Sequence, residues 1–249
     1  MLTPPEYELL ISSVSHEIRN PVTLIGSYLQ LMAHSHPEVT AYREWQPVQS
    51  EMEYLRQLLD DLSGYQNGSR LDPVDVDTNV WLCEYLQSAE ALIRSLSGPG
   101  IQLQTHLEPE LPVLSLDPVK LRQVLDNLIR NSVEAIGPHS SGTITFSAAC
   151  RDQMLRIRIT DTGCGIPPEQ LGSIFRPFFS GKSHGSGLGL AISQRIVQAH
   201  GGTLTASSSP KEATAFTLCL PLTGAHPVAN HSSLSPTGPV PPSAGDERG

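Results

Sequence analysis

The sequence has few cysteines and few basic residues. Its four cysteines, Cys83, Cys150, Cys164 and Cys219, are widely scattered and form no CxxC pair. This spacing excludes a disulfide framework and a zinc site and predicts reduced thiols. There are 16 Lys and Arg residues against 25 acidic residues, which gives a net charge of −9. No basic stripe is available to pair with phosphates, so nucleic acid is excluded as a main partner.

Signals for membrane insertion or export are also missing. No apolar run reaches the ~18 residues needed to span a bilayer. Residues 1–10 carry two glutamates and no basic residue, which differs from a signal peptide. We therefore expect a cytoplasmic protein with no membrane segment in this chain.

Four zones can be distinguished along the 249 residues, and none repeats another. Residues 5–66 predict two helices, 67–73 a hinge, and 74–222 an alternation of helices and strands. Residues 223–249 are rich in proline, glycine and serine and predict a disordered tail. The predicted fold class is α+β: a helical hairpin followed by an α/β sandwich with helices on one face of a mixed sheet.

The first predicted helix has two distinct faces. An apolar stripe at helical spacing predicts packing in a bundle; it comprises Leu10, Val14, Ile18, Pro21, Ile25 and Met32. His16 lies about 200° from Val14, with Asn20 beside it, so we expect this imidazole to face water. The alternative is an ordinary surface histidine. Glu17 favours a functional role for His16, because its carboxylate can hydrogen-bond one ring nitrogen and leave the other nitrogen free and basic.

Two features predict how this hairpin is built. Because the stripe continues to Met32, Pro21 predicts a kink rather than a helix end. The second helix carries a heptad seam, made of Val48, Met52, Leu55, Leu59 and Leu62. An isolated hairpin leaves apolar surface exposed, which predicts a homodimer that forms a four-helix bundle. The alternative is packing against the chain's own C-terminal domain.

In the second domain we predict helices over 78–96, 118–136 and 188–200. Asp117 and Pro118 form an N-cap and a first helical position that open the second of these helices. The predicted strands are 101–107, 143–149, 155–160, 203–207 and 213–220, the last two forming a hairpin.

Asparagine and aspartate side chains mark the first two candidate site motifs. Asn127 and Asn131 lie one turn apart on one helix face, and their amide oxygens suit Mg²⁺; the alternative is bonding to neighbouring backbone. Asp161 follows a strand and precedes Gly163 and Gly165. Its carboxylate can accept from an exocyclic amine while the bare backbone approaches a flat ring, although a tight turn would have the same pattern.

A glycine-rich loop precedes the helix predicted at 188–200. Its backbone N–H groups and the helix N-terminus predict phosphate binding; the loop contains Gly185, Gly187, Leu188 and Gly189. Upstream, Phe175, Phe178 and Phe179 predict the anchors of a mobile lid, or alternatively ordinary core. Lys182 in this lid is a candidate phosphate contact.

Together, the order and spacing of these motifs resemble those of the sensor histidine kinases of bacterial two-component systems, with an Asn-Pro histidine box like that of the sporulation kinases. The histidine box matches at 15–21, the asparagine box at 127–131, and the two glycine boxes at 161–165 and 185–190, with a phenylalanine box at 175–179. The resemblance covers residues 5–222. It implies a dimerisation and phosphoacceptor hairpin followed by an ATP-binding domain of the gyrase and histidine-kinase type.

The resemblance also implies a mechanism. ATP and Mg²⁺ would lie between the asparagine helix and the lid, with Asp161 on the adenine amino group, Asn131 on the metal and Asn127 near the phosphates. The γ-phosphoryl group would pass to His16, with Glu17 orienting and deprotonating the ring. It would then pass to an aspartate of a response regulator receiver domain. In such kinases the residue at the position of Asn20 helps to dephosphorylate the regulator.

Departures from the family pattern leave alternatives. Ser180 and Gly181 replace a pair of threonines found in some relatives, which puts the role of Lys182 in doubt. No sensor domain precedes the hairpin, so we expect the signal to come from another chain or from parts missing here. One alternative is an ATPase of the gyrase, mismatch-repair or chaperone type, although these have Glu where Asn127 stands. The other is a non-catalytic dimeric phosphotransfer or scaffold protein.

Overall fold

A computed structural model describes residues 4–137, 140–180, 185–208 and 213–222, with side chains from residue 17 onward. An α-helical hairpin comes first, and a layered α/β domain follows it. The expected tail, 223–249, and the lid residue Lys182 lie outside the described residues. No helix in the described ranges is both long enough and apolar enough to cross a bilayer.

Two long helices form the hairpin. Helix α1 (Pro4–Ser35) continues through Pro21, so the helix does not end at this residue. A short 3₁₀ helix (Pro37–Ala41) leads to α2 (Trp45–Asn67). Residues 36–44 therefore form the connection between the two long helices.

Within one chain, the hairpin packs along the edge of the predicted stripe rather than along its centre. Val22, Met52 and Leu59 are buried together, with Leu29 against them. The stripe residues with described side chains are exposed: Ile18, Pro21, Ile25 and Met32. Packing of these residues in a bundle of two chains stays a prediction. Val22 and Leu29 lie roughly 60–80° around the helix from Val14, and this is the edge that α2 covers.

A five-stranded mixed sheet forms the base of the second domain. Its strands are β2 (Ile101–Leu107), β4 (Gly142–Arg151), β5 (Met154–Asp161), β6 (Thr203–Ser208) and β7 (Thr214–Pro221). Their order is β2-β4-β5-β7-β6, with only β2 and β4 parallel. Strands β1 (Val74–Asp77) and β3 (Val113–Leu116) form a separate antiparallel pair that the sequence analysis missed.

Helices α3 (Thr78–Ser97), α4 (Pro118–Ile136) and α6 (Gly189–Ala199) cover one face of this sheet. Along β5, buried Leu155, Ile157 and Ile159 alternate with exposed Arg156 and Arg158. The buried positions face the helices in one continuous hydrophobic core. The fourth helix, α5 (Pro168–Leu171), is a single turn. This arrangement confirms the α+β class predicted from the sequence.

The end of α2 joins the two parts of the molecule. Leu62 and Tyr65 pack against the core of the α/β domain. The Arg195 guanidinium of α6 lies 4.5 Å from the centre of the Tyr65 ring, in range for a cation–π contact. Gly68, at the start of the predicted hinge, is buried, and a Cβ there would lie 3.5 Å from Arg195. The hairpin is therefore docked on α6.

Candidate nucleotide site

Helix α4 places the two asparagines of the first motif side by side. Asn127 donates through Nδ2 to the Ser193 hydroxyl of α6 at 2.9 Å. Asn131 donates through Nδ2 to the Asn127 backbone carbonyl at 2.9 Å. This second bond matches the backbone alternative considered for the pair. Because Mg²⁺ is bound by oxygen ligands, the amide oxygen of Asn131, and not its nitrogen, is the atom suited to a metal ion.

Asp161 lies at the end of β5 and is 1% exposed. Its carboxylate accepts from the Gly163 N–H at 2.9 Å and from the Ser132 hydroxyl at 3.1 Å. Burial raises the pKa of this carboxyl group above its ordinary value, although the two hydrogen bonds act in the opposite direction. Because Ser132 follows Asn131 directly, this bond fixes the strand end next to the asparagine helix.

The glycine loop approaches α4 more closely than a side chain would permit. A Cβ at Gly189 would overlap the side-chain oxygen of Asn127. Gly187 has φ +65°, and a Cβ there would lie 2.6 Å from the backbone carbon of Phe178. Helix α6 begins at Gly189. The N–H groups of its first turn therefore lie beside the asparagines, where an anion is stabilised.

A cavity of about 630 Å³ opens between α4, the glycine loop and the segment after β5. Ligand pockets for small molecules commonly have about 300–1,000 Å³. Its walls include six residues predicted for the site: Asn127, Asn131, Gly165, Gly185, Gly187 and Gly189. Asp161, Gly163 and Leu188 are not among the described lining residues. Leu188 is fully buried in the core instead.

Phenylalanines occupy the edge of this cavity. Phe179 lines it and, like Phe175, packs against the core. Phe178 is 62% exposed and has φ +63°, a backbone conformation that is rare for a bulky residue. The core interpretation therefore holds for Phe175 and Phe179 but not for Phe178, and the role of these rings as lid anchors stays a prediction.

The hairpin supplies part of the cavity wall, which the sequence analysis missed. Gln57 and Asp61 of α2 line the cavity, and the Ser186 hydroxyl of the glycine loop donates to the Asp61 carboxylate at 2.5 Å. Ser186 also accepts from the Leu188 N–H at 3.2 Å. Nothing in the local sequence marks Asp61, because this contact depends on how α2 docks against α6.

The predicted phosphoacceptor lies on α1, but the side chain of His16 is outside the described residues. Asn20 is exposed, as predicted for the residue beside His16, and Glu17 is exposed as well. Between them, Arg19 reaches across to α2, where it donates to the Leu59 carbonyl at 3.1 Å and to the Ser63 hydroxyl at 2.8 Å. The His16 region is thus fixed against the same two turns of α2 that carry Asp61.

Comparison with known proteins identifies both parts of the chain. The family model described as "His Kinase A (phospho-acceptor) domain" matches residues 7–67. The model described as "Histidine kinase-, DNA gyrase B-, and HSP90-like ATPase" matches residues 116–224. The second match includes all of α4, the glycine loop and the cavity residues between them.

Individual relatives agree with these matches. Sensor histidine kinase ZraS of Klebsiella oxytoca is 36% identical over 219 residues, covering 86% of this chain and 46% of the relative. Sporulation kinase B of Bacillus subtilis is 30% identical over 220 residues, covering 85% of this chain and 49% of the relative. The chain therefore spans about half the length of these curated relatives.

Among solved structures, histidine kinase ThkA in complex with response regulator protein TrrA is similar over 85% of this chain and 60% of that chain. The TM-score is 0.61 and the sequence identity is 26%.

Proposed function

The chain belongs to the sensor histidine kinases, and from that premise we propose that it is an ATP-dependent protein histidine kinase that phosphorylates itself on His16. The observation that carries this proposal is the composition of one cavity wall. The asparagine pair, the glycine loop and helix α2 of the phosphoacceptor hairpin all border the same space. A nucleotide bound there would lie against the hairpin that carries the acceptor.

The residues present suit a nucleotide and a divalent cation. Asp161 would accept from the adenine amino group, since a carboxylate oxygen has a second lone pair beyond its bond to Ser132. The absence of side chains would leave room for the adenine ring and the phosphates at five glycines: Gly163, Gly165, Gly185, Gly187 and Gly189. Asn131 would hold Mg²⁺ through its amide oxygen, and Asn127 would lie beside the phosphates. When bound, Mg²⁺ neutralises phosphate charge.

In the transfer step, a ring nitrogen of His16 attacks the γ-phosphorus of ATP. A P–N bond forms, the P–O bond to the β-phosphate breaks, and ADP leaves with that bond's electron pair. Glu17 orients the imidazole and accepts its proton. Positioning supplies most of the rate enhancement in such transfers, and the docked hairpin supports it. An aspartate oxygen of a response regulator receiver domain then attacks this phosphorus. A P–O bond forms, and the P–N bond breaks with its electron pair returning to the His16 ring.

The exposed polar face of α1 supports the choice of a receiver domain as partner, because Glu17 and Asn20 are accessible to a protein of that size. The complex of ThkA with a response regulator supports the same choice. Asn20 would position water when the kinase dephosphorylates its regulator. The input would come from a separate sensor protein or from a sensor segment outside this sequence, and the reaction would take place in the cytoplasm.

Exposed apolar residues on both hairpin helices support a homodimer. Ile25 and Met32 on α1 and Val48 and Leu55 on α2 are all between 38% and 49% exposed in the single chain. Two copies that place these faces together would form the four-helix bundle predicted from the heptad seam.

Incubation with γ-labelled ATP and magnesium tests the proposal against its two alternatives. A kinase acquires an acid-labile label on the protein and transfers it to a purified receiver domain. A hydrolase of the gyrase type releases free phosphate and leaves the protein unlabelled. A scaffold does neither. Asn131→Ala should abolish labelling, whereas Asn67→Ala, an exposed asparagine at the end of α2, should leave it unchanged.

A further inference from the structure

The charges on the cavity wall raise the question of how the terminal phosphate is held, a question that rests on the function proposed above. Among the described lining residues Asp61 and Glu134 are acidic, and Arg130 is the single cation. Magnesium–ATP carries net negative charge, so acidic walls repel it unless a cation compensates. Arginine remains charged throughout the physiological pH range and can donate two parallel hydrogen bonds to phosphate.

Arg130 lies at the end of the cavity that faces the hairpin. A smaller cavity of about 330 Å³ lies between α2, α4 and α6, and Arg130 lines both cavities together with Asp61 and Gly189. Gly189 belongs to the glycine loop that is proposed to bind the phosphates, and Arg130 lines both cavities with it. A nucleotide with its base at Asp161 and its phosphates at this loop would therefore place the phosphates beside Arg130.

The guanidinium of Arg130 is not neutralised by a neighbouring carboxylate. Its side chain is exposed, and across the described ranges it has no acidic side chain within ion-pair distance. Arg122 on the same helix differs, because its Nε lies 3.9 Å from the Asp126 carboxylate. Arg122 lines the smaller cavity but is not among the described residues that line the larger one.

We propose that Arg130 binds the γ-phosphate of ATP, and that through this contact the site distinguishes ATP from ADP. Arg130 lies between Asn127 and Asn131 on a helix whose opposite face is buried in the core, so its backbone is held rigidly. On the hairpin side of the cavity, its guanidinium would hold the γ-phosphoryl group that is transferred to His16, and the same charge would stabilise that group during transfer.

Calorimetric titration of the full chain tests this assignment with two probes, magnesium–ADP and the magnesium complex of the β,γ-imido analogue of ATP. Arg130→Gln should weaken binding of the triphosphate by about 10–100-fold, as expected for one charge-assisted contact, and should change ADP affinity by less than about twofold. Arg130→Lys keeps the charge but loses the pair of parallel donors, so its affinity for the triphosphate should lie between those of the wild type and Arg130→Gln. Arg122→Gln, which removes an equal charge about two turns away, should bind both probes like the wild type.

Two results would overturn the assignment while leaving the proposed kinase intact. One is an Arg130→Gln chain that binds the triphosphate as tightly as the wild type. The other is a parallel loss of affinity for both nucleotides, which would indicate a general effect on the site. A wild-type chain that binds neither probe would overturn the proposed function, and with it this inference. Retained ADP binding also shows that the variant is folded.

Discussion

Two buried carboxylates in this molecule have pKa shifts of opposite sign, for reasons visible in their hydrogen bonds. Asp161 is buried with two donors, and burial keeps its pKa raised. Asp117, the N-cap of α4, is also buried, which by itself raises its pKa, but its carboxylate accepts from the N–H groups of Asp72, Lys120 and Val119. These bonds outweigh burial and lower its pKa. Asp117 therefore stabilises the fold, whereas the ionised Asp161 costs stability.

Asp161→Asn should abolish nucleotide binding without lowering the free energy of unfolding. An asparagine oxygen can accept from Gly163, and its amide nitrogen can donate to the Ser132 hydroxyl, so the fold keeps both bonds. The amide nitrogen then replaces the carboxylate oxygen that would accept from the adenine amino group, so two N–H donors would face each other there. Because the raised pKa means that ionisation of Asp161 destabilises the folded state at neutral pH, the variant should be as stable as the wild type or more so.

Chemical denaturation and calorimetric titration with ADP measure the two effects separately. Asp152→Asn is the matched control, since Asp152 is exposed in the turn before β5 and should alter neither quantity. Tight ADP binding by Asp161→Asn would contradict the assigned role of the carboxylate.

The lowered pKa of Asp117 predicts a pH dependence of stability. The stabilisation of the fold by the ionised Asp117 is fully present when the pH is above the unfolded-state pKa of about 3.8. This stabilisation is lost as the pH falls through the lower folded-state pKa. At pH 7, Asp117→Asn should cost about 1–3 kcal/mol, because an amide nitrogen would face the Asp72 N–H. Urea unfolding of the wild type and of Asp117→Asn should show that the difference between their free energies of unfolding decreases below pH 4. A difference that stays constant between pH 7 and pH 3 would contradict the prediction.

At the scale of elements, the hairpin helices leave an apolar surface that the single chain does not cover. On α1 the exposed residues include Ile18, Leu24, Ile25, Tyr28 and Met32, all at least 45% exposed. An isolated hairpin with such a surface is marginal in water, and a second copy offers a matching face.

Ile25→Asp should weaken the predicted homodimer by roughly 10–100-fold, because a carboxylate would be buried without a partner in the bundle. Sedimentation equilibrium measures the dissociation constant. Val119→Asp is the control, since Val119 is 75% exposed on α4 of the other domain. A monomeric wild type, or equal effects of the two substitutions, would contradict the dimer.

Elements with local signals were predictable from the sequence. Asp117 and Pro118 predicted the start of α4 because an N-cap and a first-turn proline act within three residues. The alternation of Leu155, Ile157 and Ile159 predicted β5 because one face of that strand is buried.

Features that depend on distant contacts were not predictable from local pattern. Strands β1 and β3 have four residues each and pair across more than 35 positions, so neither has enough length for a pattern. The choice of Val22 and Leu29 over Ile18 and Ile25 for contact with α2 depends on where α2 lies. The glycine loop was recognisable at Gly187 and Gly189, but the contact of Ser186 with Asp61 depends on docking between the two domains.

For the whole molecule, the central feature is that α2 contacts both α1 and the glycine loop of the second domain. One side of its 59–63 segment is bonded to Arg19 on the acceptor helix, and the other side reaches the glycine loop through Asp61. The proposed nucleotide site and the helix of the predicted phosphoacceptor are therefore connected through a single helix. In the proposed kinase, the hairpin and the second domain act together through this helix.

The most direct test is to locate the phosphoryl group after incubation with γ-labelled ATP, using peptide mass spectrometry under neutral conditions. The account predicts phosphohistidine at His16, complete loss of label in His16→Gln, and full labelling of His34→Gln, which changes an exposed histidine on the same helix. Label that persists in His16→Gln, or that disappears in His34→Gln, would contradict it.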